Sequence, residues 1–167
     1  MTEAPRGGQD SRPDEDRSAA GQNPHGDAYS WYRRGMELLG RGSAAAAAQL
    51  LGRAAEAEPA SRSVLEGLGR AQFDAGRYTA AAESFRRIVE ASPSDDYAQF
   101  GLGLALARSG NPAGAAEHLA LAAAMRPDMR HYTDALRGVR ATLRARREAA
   151  RQQEPSATRD PENGCGS

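Results

Sequence analysis

Apolar and small residues recur at helical spacing through the middle of the chain, interrupted at regular places by glycine and proline. Trp31, Gly35 and Leu38 fall at i, i+4 and i+7, one buried helix face, so a helix is expected over 28–40 with Asp27 as its N-cap. Gly42 supplies a turn. Ala47, Leu51 and Ala54 then mark the inner face of a second helix over 44–57, which stops before Pro59. The same alternation predicts helices over 61–74 and 78–91, with Gly76 turning and Pro93 stopping. It predicts two more over 95–108 and 112–125, with Gly110 and Pro127 in those roles. Pro112 opens the last of these, where a missing N–H leaves no bond unmade. Beyond Pro127, Tyr132, Leu136, Val139 and Leu143 continue a helical stripe at steps of 4, 3 and 4. Good helix formers run on to Gln153 after that stripe has ended, so the final turns should project into solvent.

The punctuation is periodic. Pro59, Pro93 and Pro127 stand 34 residues apart, and in the same register come Gly35, Gly69 and Gly103, then Gly42, Gly76 and Gly110, then Ala47, Ala81 and Ala115. A period of this length means stacked two-helix units, none of which can bury its apolar face alone. A glycine in mid-helix costs up to about 1 kcal/mol against alanine, so its return at one phase in three helices argues for close helix approach. Trp31, Leu68, Phe85 and Leu102 are assigned to the core. The segment 130–153 drops the glycine and alanine columns and reads as a cap over the apolar face of the last unit.

With glycine, glycine, alanine and proline in that order, and with Trp31, Leu65, Leu51, Phe85 and Leu119 at large apolar positions, the chain resembles the tetratricopeptide repeat family. The resemblance implies an all-α fold: a right-handed α-solenoid of three helical hairpins (28–61, 62–95 and 96–129) plus a capping helix (130–153), in a domain covering 27–153. Arg34, Gln72 and Gln99 depart from the family's apolar positions, which bears on local packing. The function implied is that of an adaptor or scaffold, gripping a short segment of another protein in a concave groove lined by the first helix of each hairpin.

Carried onto this chain, the groove-facing columns are Tyr29/Ser63/Tyr97, Tyr32/Glu66/Phe100, Met36/Arg70/Leu104 and Leu39/Phe73/Ala107. The candidate groove residues are therefore Tyr29, Tyr32, Met36, Leu39, Glu66, Arg70, Phe73, Tyr97, Phe100 and Leu104. Apolar pads are expected at both ends, with a polar waist between them where Glu66 and Arg70, four apart, can pair. The alternative is that these aromatics cover neighbouring core residues, or that the N-terminal segment fills the groove. Some family members hold the acidic C-terminus of a chaperone with a clamp of Lys, Asn and Arg. The matching positions here are Tyr32, Met36, Gly67, Tyr97 and Gly101, which offer no cation, so that mode of capture is not implied.

The 22 basic and 22 acidic residues cancel, and the whole molecule therefore offers no strong field to nucleic acid or an anionic membrane. Every basic residue is arginine and alanine is abundant, a composition attributed to coding bias. A local exception is the row Arg137, Arg140, Arg144, Arg147 and Arg151, spaced 3, 4, 3 and 4 along the capping helix. It supports an alternative function, binding of nucleic acid or an acidic protein. No aromatic interleaves the row, which disfavours nucleic acid, and charged helix faces are commonly just solvated.

Catalysis has no support in the sequence. His25, His118 and His131 have no nucleophile at motif spacing, and His131 with Asp134 is a single pair, so no enzyme activity, cofactor or metal is expected. Residues 1–26 and 154–167 are rich in Gly, Pro, Ser and charge and are expected to be disordered, although the acid cluster Asp14, Glu15 and Asp16 could fold back on an arginine-rich surface. Cys165 is expected to be an exposed tail thiol. With no secretory-type apolar run and no membrane span, a cytoplasmic protein is expected, a monomer with a homodimer as the alternative.

Overall fold

The computed structural model describes residues 24–153, and among these lie seven helices and no strand. They are α1 (Pro24–Gly40), α2 (Ala44–Ala57), α3 (Arg62–Asp74), α4 (Tyr78–Ala91), α5 (Asp96–Arg108), α6 (Pro112–Met125) and α7 (Arg130–Gln153). Each packs on the next, and α1, α3, α5 and α7 also touch in sequence, so three hairpins and a capping helix stack into an all-α solenoid.

Four helices have the bounds their periodicity implies, and α3 and α5 start one residue late because Ser61 and Asp95 serve as N-caps. The Asp95 carboxylate accepts from the Ala98 N–H at 3.0 Å, satisfying one donor of the open first turn. At α1 the expectation needs correction. The helix begins at Pro24, so Asp27 lies in its first turn and is not the N-cap. Proline is suited to a first helical position, and a carboxylate just inside complements the positive end of the helix dipole. Residues 24–26 thus leave the segment expected to be disordered; the rest of both tails, with Asp14, Glu15, Asp16 and Cys165, lies outside the described residues.

The turn inside each hairpin is the same device three times. Gly42, Gly76 and Gly110 have φ of 79°, 75° and 95°, the left-handed region that side chains resist. Each lets the chain reverse in a Schellman motif: the N–H of Ser43, Arg77 and Asn111 donates to the carbonyl of Leu38, Gln72 and Leu106 at 2.8–2.9 Å.

The glycine column sits at the crossings. A Cβ built on Gly35 would lie 2.7 Å from Leu51, one on Gly69 2.9 Å from Phe85, and one on Gly103 2.6 Å from Leu119. The first helix of each hairpin is thereby drawn onto an apolar side chain of the second. Ala47, Ala81 and Ala115, with 0% exposure, complete these contacts. One core runs from α1 to α5; a second joins Ala115 and Leu119 of α6 to Leu136 and Val139 of α7, so α7 covers the last hairpin. Trp31 is only half-buried, packed at the edge of the first core beside Arg53 and Glu56.

The departures from the family's apolar positions are compensated by hydrogen bonds. Gln72 accepts from the Ser84 hydroxyl at 2.7 Å, linking α3 to α4. Gln99, 3% exposed, donates to the Pro93 carbonyl at 2.9 Å and meets His118 Nδ1 at 2.7 Å. Among the described residues no buried side-chain polar atom lacks a partner, as burial in an apolar interior requires. Arg34 is simply exposed, on the hairpin that no described helix precedes.

Candidate functional site

The first helices bring half of the candidate groove residues, Arg70, Phe73, Tyr97, Phe100 and Leu104, to one place, but not as two pads about a waist. A depression of about 210 Å³ opens between α3 and α5, lined by Arg70, Phe73 and Asp74 of α3, Tyr97, Phe100, Gly101 and Leu104 of α5, and Phe85 of α4. Its walls hold each other in place. The Tyr97 ring meets the Phe85 ring edge-on at 6.3 Å, Phe73 meets Tyr78 edge-on at 5.2 Å, and Phe100 stacks on Tyr132 of α7 at 4.4 Å. Gly101 opens the floor: a Cβ there would stand 2.7 Å from the Phe85 ring, so its absence leaves room for the aromatic face beneath.

Five of the candidates fall elsewhere, Glu66 among them. Leu39, expected in the groove, is 8% exposed and belongs to the core. Met36 and Tyr32 are half-buried against that same core, with the Met36 sulfur 2.8 Å from where a Gly67 Cβ would be. Tyr29, at 64%, is exposed.

The polar waist also differs from expectation. Glu66 pairs with Arg62, one turn before it, at 3.3 Å, and not with Arg70. Arg62 also binds Asp95, the α5 N-cap, so the pair belongs to a junction between hairpins. Arg70 is consequently left exposed, with no hydrogen-bond or ion-pair partner among the described residues. Its charge bears on Tyr97, whose phenol is raised above the ordinary tyrosine range by burial, while Arg70 opposes that rise and Glu66 and Asp74 add to it.

Asp74, Phe85, Gly101 and the supporting Tyr132 were not among the candidates. Phe85 was assigned to the core, which it also is, at 3% exposure; its second role follows only from the two glycines, Gly69 and Gly101, that flank its ring. Tyr132 lies on the cap, is 2% exposed and donates to the Asp96 carboxylate at 2.9 Å; its phenol is pushed well above the usual range by burial and by that bond. His131 meets the Phe100 ring edge-on at 5.2 Å. The pairing weighed for His131 and Asp134 does not form, since Asp134 binds Arg137 at 2.9 Å. Among the described residues no cluster of three or more metal-ligating side chains occurs, and no helix is long and apolar enough to cross a membrane.

The basic row runs along α7 beside its buried stripe of Tyr132, Leu136 and Val139. Arg137, Arg140, Arg144, Arg147 and Arg151 are all exposed, and a shallow depression of about 360 Å³ is lined by Thr133, Leu136, Arg137, Arg140 and Arg144.

Stacked hairpins with glycine at the crossings define a helical-repeat protein. Two family models, each described as a tetratricopeptide repeat, match residues 32–96 and 72–141, and the chain belongs to that family. No curated protein matches it by sequence. Among solved structures it is similar to the first TPR domain of the human RPAP3 protein, at 18% identity over 75% of this chain and 98% of that one, with a TM-score of 0.67. It is similar to the Sgt2 TPR domain from Aspergillus fumigatus at 19% identity, over 84% of this chain and 91% of that one, with a TM-score of 0.65. The second TPR domain of human RPAP3, in complex with the HSP70 peptide SGPTIEEVD, is 19% identical over 70% of this chain and 98% of that one, with a TM-score of 0.65.

Proposed function

We propose that the protein is an adaptor that binds a short partner segment on the concave side, inserting one large apolar side chain between α3 and α5. The observation that carries this is the aromatic depression. At a water's share of roughly 30 Å³, about 210 Å³ corresponds to about seven heavy atoms, the size of a leucine to phenylalanine side chain. Depressions lined by aromatic walls with a few polar groups at the rim are the usual form of a recognition site. The rim here has one cation without a partner, Arg70, which favours a carboxylate beside the anchor. The RPAP3 domain with its HSP70 peptide shows that a related fold holds an acidic peptide. The positions Tyr32, Met36, Gly67, Tyr97 and Gly101 offer no cationic clamp, so here the apolar anchor supplies most of the affinity. On this proposal the protein is a monomeric, non-catalytic adaptor of the cytoplasm.

The test is selection from a random peptide library on the full chain, followed by titration of the enriched sequences. Enriched peptides should share one Leu, Met or Phe flanked by Asp or Glu, and should lose affinity to Arg70→Glu and Leu104→Ser. Peptides that bind these variants as well as they bind the parent would rule out this depression as the site.

A further inference from the structure

We propose that the arginine-lined face of α7 is a seat for an acidic helix of a partner protein, which stacks there as the second helix of a fourth hairpin. Within the solenoid α7 holds the place of a first helix: it packs on α6 and touches α5, as α5 packs on α4 and touches α3. In the complete hairpins, three columns of the first helix face their own second helix. Gly35, Gly69 and Gly103 lie over Leu51, Phe85 and Leu119. Gln72 is bonded to Ser84 of α4, and Gln99 to His118 of α6. Carried forward by the 34-residue period, these columns arrive at Arg137, Arg140 and Thr133. Those three residues line the shallow depression on α7, and among the described residues no further helix covers it.

The chemistry of the seat selects its occupant. Glycine in that column lets an apolar helix approach closely; arginine holds it off and presents a cation. The row continues at helical spacing to Arg151, about 21 Å along the axis at ~1.5 Å per residue. Of its five members only Arg137 has an ion-pair partner among the described residues, Asp134. The seven arginines of α7 against Asp134 and Glu148 leave the helix at +5, within a chain whose charges cancel. A partner helix with Asp or Glu at spacings of three and four would meet these guanidinium groups in paired hydrogen bonds and lay a small apolar side chain on Leu136. Single-stranded nucleic acid fits less well, because the face has no aromatic for base stacking.

The experiment is titration of the full chain with three probes: a synthetic peptide of about 20 residues made of Glu and Ala, with glutamates three and four apart and no large apolar side chain to enter the groove, long enough to be helical; the same peptide with Gln for Glu; and a short DNA duplex. The acidic peptide should bind and gain helical circular dichroism, and the Gln peptide should not bind. Arg140→Glu combined with Arg144→Glu should weaken binding at least tenfold, whereas Arg77→Glu, away from α7, should leave it unchanged. All of these changes are on exposed side chains, and matching thermal melts will confirm that each variant is folded. Binding of neither peptide would show the face to be only a solvated cap and would overturn the proposal. DNA binding that depends on Arg140 and Arg144 and exceeds that of the acidic peptide would overturn it in favour of a nucleic-acid surface.

Discussion

His118 Nδ1 lies 2.7 Å from Gln99 Oε1, joining α6 to α5 at the column where the first hairpin has Trp31. Because the Gln99 amide N–H donates to the Pro93 carbonyl, its oxygen is the atom left to accept, and the imidazole must donate from Nδ1. Burial lowers the His118 pKa, Arg86 adds to that, and Glu117 opposes it. The fold therefore favours the neutral ring, and below pH about 6.5 the unfolded chain binds the extra proton. Stability should fall as pH drops through the window just below that value and level off once the folded ring is also protonated. Thermal melts from pH 8 to 5 should show this slope, and His118→Gln should flatten it.

Phe85 lies between Gly69 and Gly101, either of which would put a Cβ within 2.9 Å of its ring. Gly101→Ala should overpack this contact by about 1–3 kcal/mol, and Gly69→Val should fall in or above that range. Shrinking the ring should relieve the strain, so Phe85→Leu combined with Gly101→Ala is expected to lose less than the sum of the two changes. Denaturant unfolding of the four proteins of this cycle provides the check; strict additivity would mean the ring is not held as described.

Tyr132 fastens the cap by its hydrogen bond to Asp96, at 2.9 Å. Tyr132→Phe should cost about 1.5–3 kcal/mol, the range for a hydrogen bond to a charged group. The phenol is raised in the fold, so above pH about 10 the unfolded chain loses its proton first and stability declines with rising pH. Alkaline melts should show that decline, and Tyr132→Phe should lessen it.

Two groove variants should separate affinity from stability. Phe100 stacks on buried Tyr132, so Phe100→Ala should lower the melting temperature as well as weaken peptide binding. Arg70 is exposed and touches no ion partner among the described residues, so Arg70→Glu should leave the melt unchanged while weakening an acidic peptide about tenfold or more. A melt and a titration on each variant would test this; a destabilised Arg70→Glu would show that the side chain has a structural partner.

The helices, their turns and their order were legible in the chain because they depend on local chemistry that the 34-residue period repeats three times: glycine where φ is positive, proline where a helix must stop, small residues where helices cross. Even departures such as Gln72 and Gln99 were visible as departures. What stands next to what was not legible. Leu39 and Phe73 stand 34 residues apart at one phase of the repeat, yet only Phe73 lines the depression, while Leu39 is buried in the core. Glu66 lies one turn from both Arg62 and Arg70; Arg62 wins because Asp95, from the next hairpin, draws it to that side. The use of Phe85 as a pocket floor depends on glycines from two different helices, and the face of α7 that Arg137 occupies acquires meaning only when the hairpins are stacked. Local sequence determines backbone conformation through short-range sterics and hydrogen bonds, whereas these contacts join residues far apart in the chain, and only packing of whole helices decides them.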